Sequence, residues 1–90
     1  MAYFVATYDL KKKNEFDYQY LWDEFNRING HKYQGSCYLI ERDTTSSALY
    51  NLLRQHMHED DALFVAEFSK KPKAGKCLPG TKNWIDSRFP

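Results

Sequence analysis

Only two cysteines, Cys37 and Cys77, occur in this 90-residue sequence, and they form neither a CxxC nor a zinc-ligand spacing. Whether the two sulfurs pair stays open, because sequence does not fix their separation. Net charge is nearly absent as well. Thirteen basic and twelve acidic side chains leave +1, which is no global electrostatic footprint for nucleic acid. Any phosphate binding has to come from local clusters. No apolar run approaches the ~18 residues of a membrane span. The opening MAYFVATYDL has no basic leader, long apolar region or cleavage site. A soluble, cytoplasmic protein with reduced thiols and no membrane partner is therefore expected. Nucleophile elbow, P-loop, dinucleotide fingerprint and His-Cys metal cluster are all missing too.

What the sequence does have is aromatic side chains, 17% of the total. Ninety residues predict one domain with a thin core, since a chain this short buries only about 60% of its unfolded surface. Large rings offset that shortage, and dimerisation commonly completes such a core. Residues 2–9 alternate Phe4, Ala6, Tyr8 against Tyr3, Val5, Thr7, so both faces are largely apolar, as in a central strand. From Asp17 the period changes. Tyr18, Leu21, Trp22, Phe25 and Ile28 form one stripe, which predicts a helix over 16–29 with Asn14 or Asp17 as its cap and Asn29-Gly30 as a left-handed stop. HKYQGSCYLIE returns to alternation, with Gly35 marking a bulge or a bend between two short strands. Ala48, Leu49, Leu52, Leu53 and Met57 predict a second helix over 45–58, and ALFVAEF a further strand. SKKPKAGK reads as a mobile loop or edge element. PGTKNWIDSRF reads as a turn followed by one or two helical turns, with Thr81 as a possible cap. Trp84, Ile85 and Phe89 are too apolar for a free tail and should dock on the domain or on a partner chain. The core then spans about 2–68 and the docking extension 69–90.

Strand, helix, one or two strands, helix, strand is the order of a split β-α-β, ferredoxin-like sandwich (βαββαβ). Its antiparallel sheet carries both helices on one face and leaves an aromatic face open for a dimer or a ligand.

Three pieces of this chain carry a family resemblance. They are the first strand ending in Tyr8-Asp9, the segment Lys32, Gln34, Ser36 followed by Cys37-Tyr38, and the acids Asp60-Asp61 opening the strand after the second helix. Over about residues 2–68 the chain resembles the small CRISPR-associated "protein two" nucleases. It is similar also to the virulence-associated protein D ribonucleases and the short SinR-like proteins, to which the PGTKNWI ending looks closer. The resemblance implies a homodimer in which Asp9 faces its twin and shares a divalent metal, Mg²⁺ or Mn²⁺, with Ser36 near the site. Lys32 stands where the family usually has Arg, replacing a bidentate phosphate contact by a point charge. Some relatives hold nucleic acid without cutting it.

Read from the residues alone, Asp9 either starts a turn or holds a metal, for which one or two carboxylates plus substrate phosphate suffice. Lys11, Lys12 and Lys13 are either a solvated loop or a phosphate contact, as are Lys70, Lys71, Lys73 and Lys76. Gln34 and Ser36 share a side if their strand stays regular, and would orient a phosphate or a water. His56 and His58 lie two apart and would not face each other on a helix, which argues against a shared metal, and His31, which precedes that strand, is the better acid-base candidate. Tyr33 and Tyr38 are the rings best placed to stack a base, while Cys37 reads as inert packing. The expected activity is metal-dependent phosphodiester cleavage of RNA, DNA or a nucleotide, catalysed through Asp9, Ser36 and Gln34. The contacts would come from Lys11, Lys12, Lys13, Lys32, His31 and Tyr38. The alternatives are a non-catalytic nucleic-acid adaptor or nucleotide-sequestering protein, and a plain protein-interaction module.

Overall fold

A computed structural model describes residues 1–12, 14–72 and 75–90. Lys13 and Lys73, each assigned above to a basic cluster, lie outside the described residues. The alternation at the start of the chain decides the layout. In β1 (Ala2–Asp9), Phe4, Ala6 and Tyr8 are buried, whereas Tyr3, Val5 and Thr7 are only partly covered. The remaining elements are α1 (Gln19–Arg27), β2 (His31–Gln34), β3 (Cys37–Arg42), α2 (Ser46–Arg54), β4 (Ala62–Phe68) and α3 (Thr81–Arg88). The strands form one four-stranded antiparallel sheet in the order β2-β3-β1-β4, with β1 central as its two-sided apolarity requires. This α+β arrangement is compatible with a ferredoxin-like sandwich.

Cross-strand register fixes which side chains share a face. Phe4 opposes Ile40 and Ala6 opposes Tyr38 and Val65, and these residues meet the helices. Leu21, Phe25 and Ile28 from the α1 stripe join Leu49, Leu53 and Met57 from the α2 stripe over this face. Full burial of a Phe or Leu side chain here contributes about 1.5–3 kcal/mol relative to exposure. Both helices are shorter than their stripes. Before α1, Phe16 donates its amide back to the Lys12 carbonyl at 2.9 Å, which closes a separate turn. Asp17 receives the Gln19 amide at 2.9 Å, and Asn29 at φ 57° ends the segment as its sequence suggests. After α2, Met57 still packs in the core although the helix proper has ended. Thr45 caps α2 by accepting the Ala48 amide at 3.1 Å. Thr45→Ala should cost about 1 kcal/mol of stability, readable as a lower urea midpoint at unchanged slope.

The opposite sheet face is not left open. Helix α3 lies across it, with Trp84 only 8% exposed and its ring edge-on to Tyr3 at 6.3 Å. Phe89 packs on Tyr3 at 4.7 Å and on Phe68 at 5.9 Å. Thus the apolar positions 84 and 89 dock on their own domain. This second core covers Leu39 as well, while Phe64 on the same face stays 64% exposed.

Candidate functional site

The Asp9 end of the sheet gathers several of the residues singled out above. Asp9 is the last residue of β1 and pairs with Ala62, the first of β4. Its side chain is 65% exposed. The Tyr8 amide donates to the Ser36 carbonyl at 3.1 Å, so the turn between β2 and β3 lies beside the tip of β1. Asp9, Ser36 and Lys11 thereby come to one end of the molecule, as a shared site requires.

Among the described residues, the lysines at this end have acidic neighbours. Lys11 Nζ lies 2.6 Å from Asp9 Oδ2, and that hydrogen bond holds the lysine above its ordinary pKa. Lys12 Nζ lies 3.6 Å from Asp60 and 3.9 Å from Glu15. Lys11 and Lys12 therefore serve neighbouring acids, and exposed pairs of this kind contribute little to stability. Lys70 and Lys71 follow Phe68, which pairs with Tyr3, so they sit at the other end of β1. Lys71 is paired with Asp86 at 3.1 Å. The described parts of the two basic clusters do not form one continuous strip.

Asp61, one of the two acids singled out in the resemblance, has a role as a buried acceptor that the sequence did not show. It is 6% exposed, yet its carboxylate takes the Lys11 amide at 2.7 Å, the His58 amide at 2.9 Å and the Tyr18 hydroxyl at 2.8 and 2.9 Å. Arg54 donates to its carbonyl at 2.7 Å. Burial alone would raise the carboxyl pKa, but the donors from Lys11, Tyr18 and His58 outweigh it and hold it below the usual range. With its acceptors fully used inside the protein, Asp61 is a positioning residue. It pins the backbone two residues beyond Asp9. In sequence it is one acid among HEDD, and only the stripe residue Tyr18, with a hydroxyl needing a partner, hinted at a buried acceptor.

The other expected members are arranged differently from the sequence expectation. Gln34 ends β2 and Ser36 sits in the turn after it, with a register shift between Lys32 and Gln34, so the two do not share a face of one regular strand. Gly35 is part of that turn rather than of a strand. Lys32 is exposed and opposes Tyr38. Tyr38 is no open stacking platform, because its ring lies flat on Phe25 at 3.8 Å with an interplanar angle of 3°, and burial raises its pKa. Tyr33 is partly buried beside Cys37, and burial, then that thiol, push its hydroxyl to about 12. His31 faces α3, with Nε2 at 2.8 Å from Thr81 Oγ1, far from the tip of β1 in register. His56 and His58 turn to different partners, Glu24 and Asp60. Cys37 and Cys77 are free thiols.

Among the described residues no group of three or more His, Cys, Asp or Glu side chains is arranged to hold a metal, and no helix is long and apolar enough to cross a membrane. A cavity of about 840 Å³ lies against α3, lined in part by Lys71, Pro72, Leu78, Ile85 and Asp86, and does not include Asp9. No family model matches the chain, and no solved structure gives a significant match to it.

Proposed function

We propose that the chain is a dimeric, metal-dependent phosphodiesterase, an endoribonuclease or related nuclease acting on nucleic acid or a nucleotide. This is the activity implied by its resemblance to the CRISPR-associated "protein two", virulence-associated protein D and SinR-like proteins. The observation that carries the reading is the exposed Asp9 carboxylate at the tip of the central strand, with the Ser36 turn and Lys11 beside it. The sheet order is the one a ferredoxin-like protomer needs.

One chain does not supply a metal site, since Asp9 is the sole carboxylate proposed for it and no larger acidic or imidazole cluster surrounds it among the described residues. Two copies of Asp9 with substrate phosphate oxygens fit the hard-oxygen preference of Mg²⁺ or Mn²⁺. Such an ion, when bound, polarises the phosphodiester and lowers the pKa of a coordinated water. Lys11 has the remaining task of exchanging its partner. It releases Asp9 and neutralises a phosphate oxygen, a change available to an exposed, flexible ammonium. Ser36 and Gln34 donate hydrogen bonds to the phosphate from the turn and the end of β2. Lys12 contributes charge at the rim.

Incubation of the protein with labelled RNA, DNA and small nucleotides, with metal and with chelator, tests the proposal. Cleavage should require metal and disappear in Asp9→Asn, with the far-UV dichroism of the variant unchanged. Undiminished cleavage by that variant removes the mechanism. A second reading is favoured by one contact, the 2.6 Å pair between Lys11 and Asp9, which occupies the carboxylate. In that reading the same end binds nucleic acid or a nucleotide without turnover, and binding with no products assigns it.

A further inference from the structure

We propose that Phe64 is a stacking platform for an unpaired nucleobase, so that the substrate of this chain is a single strand or a free nucleotide rather than a duplex. The inference rests on the reading that a phosphate is met at Asp9 and Lys11, and it names what lies next to that phosphate.

Strand alternation sets the geometry. Asp9 follows Thr7 by two residues in β1, so it emerges on the sheet face that carries Tyr3, Val5 and Thr7. Thr7 opposes Phe64 and Asp9 opposes Ala62, which puts Phe64 on that same face, diagonally across from Asp9. Diagonal neighbours on paired strands lie about 7–8 Å apart, within reach of an aromatic side chain. The span is comparable to that between a nucleobase and its own phosphate. A nucleotide whose phosphate sits at Asp9 and Lys11 therefore has its base over Phe64.

The sheet face is open at this point and closed at its other end. There Trp84 and Phe89 of the C-terminal segment pack on Tyr3, and Phe89 packs on Phe68. That cover stops short of the row containing Thr7. Phe64 is 64% exposed, and its neighbours Thr7 and Ala66 are only partly covered, as is Cys37 across β1. The other sheet tyrosines of β1 and β3 are engaged in packing, Tyr8 and Tyr38 with Phe25 and Tyr3 with the α3 segment. Tyr20 is as exposed as Phe64, but it belongs to α1, in the layer on the opposite side of the sheet. Phe64 is thus the ring that combines exposure with the face of Asp9.

One exposed phenylalanine is commonplace on a protein surface. What distinguishes this one is the Lys11 ammonium, 2.6 Å from the Asp9 carboxylate on the adjoining strand tip. A ring for the base beside a cation for the phosphate is the pairing of a single-strand site. Within a duplex each base is already stacked on its neighbours and has no free face to offer, so this contact selects unpaired bases. Phenylalanine carries no hydrogen-bonding group, so the platform accepts any base.

The test is binding of a labelled single-stranded RNA about ten nucleotides long, read by fluorescence anisotropy in an Asp9→Asn background, which frees Lys11 and is expected not to cleave. Adding Phe64→Ala should weaken binding about tenfold, with unchanged far-UV dichroism. Phe64→Leu keeps apolar bulk without a ring and should also bind weakly, whereas Phe64→Trp should restore binding. Tyr20→Ala should leave it unchanged. A duplex of the same sequence should bind more weakly and be insensitive to Phe64→Ala. Equal RNA binding by Phe64→Ala, or an equal loss with the duplex, overturns the platform. Sedimentation velocity adds a further check: if Phe64→Ala converts a dimer to a monomer, the ring serves contact between copies and the proposal falls. The two readings fail separately. Metal-dependent cleavage by the original chain with no effect of Phe64 keeps the nuclease and removes the platform, while Phe64-dependent binding without cleavage keeps the platform and removes the nuclease.

Discussion

Asp61→Ala is expected to lower the unfolding free energy by about 3 kcal/mol or more, the scale of leaving several buried donors without an acceptor. The variant strands the amides of Lys11 and His58 and the hydroxyl of Tyr18. These groups belong to the turn after β1, the start of α1 and the approach to β4, so one side chain holds three separate connections. The domain's total stability is only on the order of 5–15 kcal/mol, which makes this loss a large share. Asp61→Asn keeps one acceptor but turns an N–H toward groups that themselves donate, and should fall between alanine and the original. Urea denaturation of the three proteins ranks them. Their acid limbs should differ too. The folded carboxyl lies below its ordinary 3.8, so its stabilisation is complete above that pH and is lost as pH falls through the depressed value. Neither variant can titrate there, so their stability should depend less steeply on pH below 3.8. If Asp61→Ala unfolds at the original urea midpoint, the residue does not hold this corner together.

Phe25→Ala is expected to cost about 3–5 kcal/mol, through lost transfer energy and the cavity left behind. Phe25 is among the largest fully buried side chains. It stacks on Tyr38 at 3.8 Å and lies 6.0 Å from Tyr8, so its removal loosens both inward rings of the central strands. Part of that cost is aromatic stacking beyond area alone, about 0.5–1.5 kcal/mol. Phe25→Leu refills much of the volume but not the stack. The difference between the original protein and Phe25→Leu, measured by denaturant midpoints, reports mainly the ring contribution, and that between Phe25→Leu and Phe25→Ala the refilled volume. An alanine variant as stable as the original contradicts the packing described here.

The main layers were legible because burial imposes period on sequence. Phe4, Ala6 and Tyr8 announced a strand, Tyr18 to Ile28 a helix, and each does face the core. Helix ends were less so, since Phe16 and Met57 continue the apolar stripes from turns that sequence period cannot distinguish from helix. The placement of α3 was legible only as a need to dock. Trp84 and Phe89 showed that something must be covered, but not that the cover would be the sheet face of the same chain. At the candidate site, Asp9 and Ser36 do come to one end. Tyr38 and His31 do not join them, because a ring or an imidazole in an alternating strand has the same spelling whether it serves packing or a ligand.

The position of β1 also bears on synthesis. This strand precedes both of its partners in the chain, for β3 begins at Cys37 and β4 at Ala62. At translation rates of roughly 5–20 residues per second, the apolar FVATY segment emerges seconds before its second neighbour exists. During that interval its backbone amides and rings have no lasting partner, which makes the nascent N-terminal strand the natural place for a chaperone to bind and for premature aggregation to start.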